Sequence, residues 1–294
     1  MESVSQCRES ESDLQCILFL FLCRTCCMEA IMKLQVLLSA MHLSDYTYID
    51  RLKITGDTVI INQCDRETDE FAEVSGRSIR FLCTKERGLS RSRNRAIREA
   101  DADICILCDN DVVYCDGYEQ KILSAFEKYE NADILVFFIR RPERDKPVFD
   151  SVKKMNYLSV MKIFSPEIAF RRKSVLELKF HERFGAGAEY AMGEENIFLY
   201  DALRAGLKIL YVPVQIAELM HTESTWFTGY TDKFFRDRGA NYYAMTRRFY
   251  WILILQFALR KYGIYKKENR PLHALKMMFQ GKREYKAHEN ISGW

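Results

Sequence analysis

Asp109-Asn110-Asp111 sets two carboxylates two residues apart, directly after an apolar run. Side chains two apart on an extended segment point the same way, so Asp109 and Asp111 can share one target. Two such carboxylates raise each other's pKa unless a cation sits between them. Oxygen-only ligands of this kind suit Mg2+ or Mn2+, which are held by one or two carboxylates and completed by substrate phosphates. The triplet also has the composition of an ordinary polar turn, so its meaning depends on its surroundings. A second stretch, Arg87-Gly-Leu-Ser-Arg-Ser-Arg-Asn-Arg95, places four arginines where a helix should begin. Cations cost stability at the positive end of a helix dipole, while helix N-termini and arginine forks both bind phosphate oxygens. Solvation accounts for Arg91, Arg95 and Arg98, which share one helical face. It does not account for Arg93 and Asn94, which lie on another.

The elements that must position these groups are legible as alternating strands and helices. Residues 104–108 form an apolar run without a polar break, the pattern of a parallel strand buried on both faces. In open α/β sheets ligands sit beyond the carboxyl ends of the strands, and Asp109 and Asp111 stand at that lip. Further strands are predicted over 34–38, 58–61, 78–83 and 134–139. Ser90 is placed to cap a helix running to Ala100. The stretch 117–129 is amphipathic, with Tyr118, Ile122, Ala125, Phe126 and Tyr129 on one face. This alternation predicts an α/β fold with a mostly parallel central sheet flanked by helices. Beyond it come a charged loop over 140–147, a short strand over 168–170, a short helix over 174–178 and a hinge-like Gly185-Ala-Gly-Ala188. A helix over 194–205 should turn Phe198, Leu199, Ala202 and Leu203 inward and stop at Gly206. A strand over 207–212 should close at Pro213.

At 294 residues, 48% hydrophobic and 29% charged, the chain has the profile of a soluble globular protein with a sizeable core. The net charge of +3 is unevenly divided. Residues 225–294 hold 14 Lys/Arg against 5 Asp/Glu, which points to an anionic partner surface, with membrane headgroups the leading candidate. Within that tail, 249–259 is apolar apart from Gln256 and is flanked by Arg247, Arg248, Arg260 and Lys261. It is too short to span a bilayer, and reads either as an interfacial helix or as one packed against the rest of the protein. Five of the ten cysteines lie in the first 27 residues. Cys105 and Cys108 have C-x-x-C spacing but no second Cys/His pair, so they read as reduced core residues of a cytoplasmic protein. Residues 1–31 read as an extension without structure or an upstream start, preceding a clean pattern from Met32, with a short membrane-contacting anchor as the rival reading. The expected organisation is that extension, a catalytic domain over 32–225 and a basic, aromatic-rich helical region over 226–294.

Gly88-Leu-Ser-x-x-Arg93-Asn94, the Ala100-Asp-Ala-Asp-Ile strand and Asp109-x-Asp111 together resemble the family 2-type glycosyltransferases of the GT-A fold. Gly193-Glu-Glu-Asn-Ile-Phe is similar to the family's Gly-Glu-Asp-x-x-Phe signature. Arg204-Ala-Gly-Leu-Lys-Ile-Leu-Tyr-Val-Pro213 resembles the strand that follows it, and His221 falls where many members carry a histidine. The resemblance runs from about Met32 to His221, with the motifs in order. It implies a nucleotide-sugar donor, a UDP-sugar first, whose diphosphate is bridged by Mn2+ or Mg2+ on Asp109 and Asp111, with His221 a candidate third ligand. It implies inversion at the anomeric carbon. By position, Arg93, Asn94 and Asp109 would meet the diphosphate, and Ser39 and Gln63 would line the nucleoside pocket. The family usually has Asp-Asp where this chain has Asn62-Gln63, so the base is left open, although an amide can still pair with a pyrimidine edge.

Transfer to a hydroxyl also needs a proton acceptor. Glu195 stands where the family's pair has its aspartate, with Glu194 beside it. Acids are commonplace at helix starts, so the pair has a purely structural reading as well. The implied acceptor is a glycan or lipid-linked glycan in surface polysaccharide or glycolipid assembly, with no nucleic-acid partner and work at the inner face of the membrane. Two other functions stay open. A nucleotidyltransferase would need a glycine-rich phosphate loop near the first strand, and 34–45 has no glycine. A non-catalytic nucleotide-sugar or carbohydrate binder could use the same scaffold.

Overall fold

The structure, a computed structural model, describes residues 32–142, 144–220 and 227–292. The expectation for residues 1–31 lies outside them. From Leu34 onward the chain forms one compact unit. Among the described residues ten strands make a single sheet: β1 Leu34–Met41, β2 Asp57–Gln63, β3 Thr68–Val74, β4 Arg77–Thr84, β5 Ile104–Asp109, β6 Val112–Tyr114, β7 Ile134–Arg140, β8 Lys153–Lys154, β9 Ile168–Arg171 and β10 Ile209–Leu219. Their order is β3-β4-β2-β1-β5-β9-β7-β10-β6, with β8 on β10. β1 pairs in parallel with both β2 and β5, and β2 with β4. The runs in β1, β2, β5 and β7 are apolar because these strands are buried on both faces. Cys105 and Cys108 are free and buried within β5, as reduced core residues. Burial pushes the Cys105 thiol up to about 12.

Four features depart from the sequence reading. β3 is an antiparallel edge strand that the pattern did not mark, since Thr68-Asp-Glu-Phe-Ala-Glu-Val faces solvent along most of its length. β9 runs antiparallel between β5 and β7, so the centre of the sheet is mixed. β10 does not stop at Pro213. It steps across a bulge, four residues advancing from Tyr211 to Gln215 while β7 advances two, from Val136 to Phe138. A proline with no N–H is tolerated where the ladder is already interrupted. The helix expected from Ser90 begins at Leu89 with Gly88 as N-cap, and Ser90 lies inside it.

The helices are α1 Tyr48–Arg51, α2 Leu89–Glu99, α3 Tyr118–Lys128, α4 Arg172–Val175, α5 Glu194–Arg204, α6 Asp232–Met245, α7 Tyr250–Arg260, α8 Tyr262–Tyr265 and α9 Pro271–Ser292. The last four form no separate body. Phe235, Ala240, Met245, Ile254 and Ala258 share one hydrophobic core with Ile134, Phe170 and Tyr211 of the sheet. α6 and α9 touch backbone to backbone: a Cβ on Gly239 would stand 1.9 Å from the Met278 carbonyl oxygen, and one on Gly281 2.0 Å from that of Arg236. Only glycine permits so close a crossing. Among the described residues no helix is long and apolar enough to cross a membrane.

Candidate functional site

β5 carries the chain through the core and delivers Asp109 at its carboxyl end. Asn110 and Asp111 then form a turn into β6 rather than a continued extended segment. Alternation along a strand therefore does not govern where Asp111 points, and the two carboxylates share the strand end by way of the turn. Its backbone is fixed from two sides: Tyr48 Oη donates to the Asn110 carbonyl at 2.9 Å, and Met220 N–H to that of Asp111 at 2.8 Å.

Arg93 was expected at a diphosphate, but its side chain is 1% exposed and pairs within the protein. Nη1 donates to Glu194 Oε1 at 2.7 Å, and Nη2 to Asp109 at 2.9 and 3.2 Å. The ring of Phe180 lies 5.5 Å from the guanidinium carbon. Burial works against the arginine's charge, but Asp109 and then Glu194 more than offset it and raise its pKa. An ionised group so deep in the fold is tolerated only when paired and hydrogen-bonded. Arg93 thus ties the end of β5 to the start of α5.

Asn94 is likewise occupied, its Nδ2 donating to the Phe180 carbonyl at 2.9 Å and its Oδ1 accepting the Phe180 N–H at 2.7 Å. It is a backbone clamp rather than a phosphate contact. Ser90 Oγ donates to the Phe184 carbonyl at 2.6 Å, and Leu89 N–H to that of Ala186 at 2.9 Å. The hinge-like 185–188 segment is therefore pinned across the start of α2, with Gly185 at φ +104°. Arg91 is exposed and paired with Glu182, as the solvated face required.

Ser39 and Gln63 sit at the carboxyl ends of β1 and β2, with their polar atoms engaged. Ser39 Oγ accepts from Ser92 Oγ at 2.8 Å. The Gln63 amide makes a two-way pair with Gly88, accepting its N–H at 2.9 Å and donating to its carbonyl at 3.2 Å. Asn62 makes the same kind of pair with Leu43, both bonds at 2.9 Å. Gln63, expected to face a nucleobase, instead fixes the turn into α2.

At the start of α5, Gly193 has φ +86°, and a Cβ there would come within 2.2 Å of Asn241 Nδ2. Asn241, on α6, donates from that nitrogen to the Gly193 carbonyl at 2.9 Å. A helix from the C-terminal region thereby sets where the glutamate pair begins. Glu194 is buried and spent on Arg93. Glu195 keeps part of its surface open, yet burial, followed by the charge on Glu194, pushes its carboxyl up to about 8. Arg93 and Arg238 pull it back down. The sequence reading missed Arg238 and Asn241. Arg238 lies among the rings of Phe234, Tyr242 and Phe257, and its sign in the sequence was a pair of arginines, Arg236 and Arg238, in an aromatic-rich helix.

Among the described residues no group of three His, Cys, Asp or Glu side chains is assembled to hold a metal. Asp109 and Asp111 at one strand end still fit Mg2+ or Mn2+, ions that accept one or two carboxylates and fill the rest of their shell with water and phosphate oxygens. His221 lies outside the described residues.

The glycosyl transferase family 2 profile matches residues 59–190. No curated protein sequence matches the chain. Among solved structures, TarS 1–349 of S. aureus in complex with UDP-GlcNAc superposes with a TM-score of 0.57 at 12% identity, over 81% of this chain and 74% of that one. The same protein in complex with UDP gives 0.56 at 12% identity, over 85% and 81%. The chain therefore carries a glycosyl transferase family 2 profile over residues 59–190, and its described sheet and helices share the GT-A fold of the TarS structures.

Proposed function

We propose that this protein transfers a sugar from a UDP-sugar to a hydroxyl acceptor by metal-assisted inverting displacement. The observation that carries the proposal is the Arg93 bridge, which brings the Asp109 carboxylate and the Glu194–Glu195 helix start into one site although they are far apart in sequence. The likeness to a fold that binds UDP-GlcNAc in TarS supports a uridine donor. A divalent ion on Asp109 and Asp111 would supply neutralising charge to the departing diphosphate. Arg93 holds Asp109 and Glu194 in register. Glu195 accepts the acceptor hydroxyl's proton as that oxygen forms its bond to the anomeric carbon and the bond to the diphosphate oxygen breaks. Attack opposite the leaving group inverts the anomeric centre. The acceptor that goes with this reading is a glycan or lipid-linked glycan met at the inner face of a membrane.

Isothermal titration with a panel of nucleotide sugars, with and without Mn2+, followed by a donor-hydrolysis assay, tests the reading. Metal-dependent binding of a UDP-sugar with slow background hydrolysis is the expected result. Metal-dependent binding with no turnover under any condition would make the protein a non-catalytic binder. Pyrophosphate release from a nucleoside triphosphate and a sugar phosphate would make it a nucleotidyltransferase.

A further inference from the structure

α7 is apolar on two opposite faces, and the protein covers only one of them. Leu253, Ile254, Phe257 and Ala258 are buried in the common core. On the other side Trp251, Leu255 and Leu259 follow one another at four-residue spacing, with Ile252 beside them, and all four are exposed. Leu259 is 67% exposed and Trp251 47%. Phe249 at the N-cap, and Tyr262 and Ile264 just beyond the helix, are exposed as well. A contiguous apolar stripe of this kind on a soluble fold marks an interaction surface.

The charges around the stripe indicate what covers it. Between Thr246 and Arg283 the chain carries ten Lys/Arg and one acid, Glu268. Arg248, Arg260, Lys261, Lys266 and Lys267 are exposed. Among the described residues none of these five has a carboxylate partner. A second copy is disfavoured as the occupant. Two-fold pairing of α7 against itself sets the Arg248 end of one copy against Arg260 and Lys261 of the other, or like ends together, and either arrangement opposes cations. A bilayer surface with anionic headgroups satisfies both features, taking the apolar stripe at the acyl boundary and the cations among phosphates. Trp and Tyr are the aromatic residues enriched at that depth.

We propose that the outward face of α7, centred on Trp251, Leu255 and Leu259, docks this protein on an anionic membrane surface. The inner face stays in the core, so docking requires no unfolding, and the catalytic unit is held as a rigid body against the bilayer. This deepens the functional reading by naming the surface that would bring the protein to a lipid-linked acceptor. It is tested without turnover, so either idea can fail alone.

Flotation with vesicles of phosphatidylcholine and phosphatidylglycerol in equal parts, against phosphatidylcholine alone, is the experiment. Binding is expected to the anionic vesicles at low salt and to weaken as salt rises. Trp251→Ser with Leu255→Ser should abolish flotation while the protein stays folded, with the thermal midpoint lowered only modestly, because both side chains are partly exposed on the outer face. Arg260→Gln with Lys261→Gln should lower the partition coefficient by about fivefold for each charge removed. In a protein whose other tryptophans, Trp226 and Trp294, are replaced by Phe, Trp251 emission should shift to the blue and be quenched by brominated acyl chains. Equal binding to both vesicle types, or anionic binding that survives the Trp251/Leu255 change, overturns the proposal. So does a dimer in buffer that the same change dissolves, which would assign the face to a second copy.

Discussion

Arg93 and Glu194 are 101 positions apart in the chain and meet at 2.7 Å inside the fold. The same guanidinium holds Asp109, so one buried cation joins the carboxylate at the end of β5 to the carboxylate at the start of α5. Changes at either acid act on the other through it.

Asp109 and Asp111 should therefore separate on substitution, although the sequence reads both as metal ligands. Asp109→Ala leaves the buried guanidinium with Glu194 alone. It should cost on the order of 2 kcal/mol, less than the ~3–5 kcal/mol typical of a buried charge stripped of its partner. Asp111→Asn, which removes no partner of Arg93, should lose Mn2+-dependent UDP affinity with little change in unfolding. Titration calorimetry and thermal denaturation on the two variants check this. Equal loss of stability in both would show that Arg93 does not depend on Asp109.

In the proposed mechanism Glu195 ties rate to pH. With its pKa pushed up to about 8 by burial and by Glu194, it accepts a proton freely only above that pH. Turnover should climb with pH, reach half its maximum near pH 8 and level off only above about pH 9. Stability should run the other way. The fold favours the neutral acid, a contribution that is intact below the ordinary carboxylate range and is lost as pH rises through about 8. Glu195→Gln should cost about 10²–10⁴ in turnover with donor affinity nearly unchanged, and should flatten both pH profiles. If Glu194→Gln alone removes activity with folding intact, the base is Glu194.

Arg238 supplies one of the positive charges that hold the Glu195 pKa down. Arg238→Met keeps an unbranched, apolar side chain among Phe234, Tyr242 and Phe257 while removing that charge. The rising limb of the pH–rate profile should then move to higher pH, with maximal turnover retained at the alkaline plateau. A uniform drop at every pH would mean that Arg238 acts in some way other than through Glu195.

Gly239 and Gly193 test how the C-terminal helices support the site. Gly239→Ala drives a methyl into the Met278 carbonyl and must part α6 from α9. A loss of about 3 kcal/mol is expected, at the upper end for overpacking. Asn241→Ala is milder, removing the 2.9 Å bond to the Gly193 carbonyl. It should lower turnover more than it lowers the unfolding midpoint, because it loosens where Glu195 sits. Denaturation set beside single-turnover rates separates the two effects.

Local pattern was enough to reveal the inner strands. β1, β2, β5 and β7 are continuous apolar runs because they are covered on both sides, and such runs announce themselves without tertiary information. β3 escaped because an edge strand with solvent on its flank is free to carry Asp69, Glu70 and Glu73, and its Phe71 is 70% exposed. Pro213 misled because a bulge, which depends on the neighbouring strand, decides whether a proline ends a strand.

At the site the division falls between residue type and partner. The sequence alone determined that Asp109 and Asp111 follow a buried strand, that Arg93 lies in the helix after Gly88, and that Glu194 and Glu195 begin another helix. Tertiary structure decided which of them face one another. It turned Arg93 inward onto two carboxylates, used Asn94 and Gln63 as backbone clamps, and brought Asn241 and Arg238 from the far end of the chain to Gly193 and Glu195. The physical reason is distance. Periodicity and capping operate over about one turn of helix or one pleat of strand, whereas the hydrogen bonds and charges that commit a side chain form between segments many tens of residues apart.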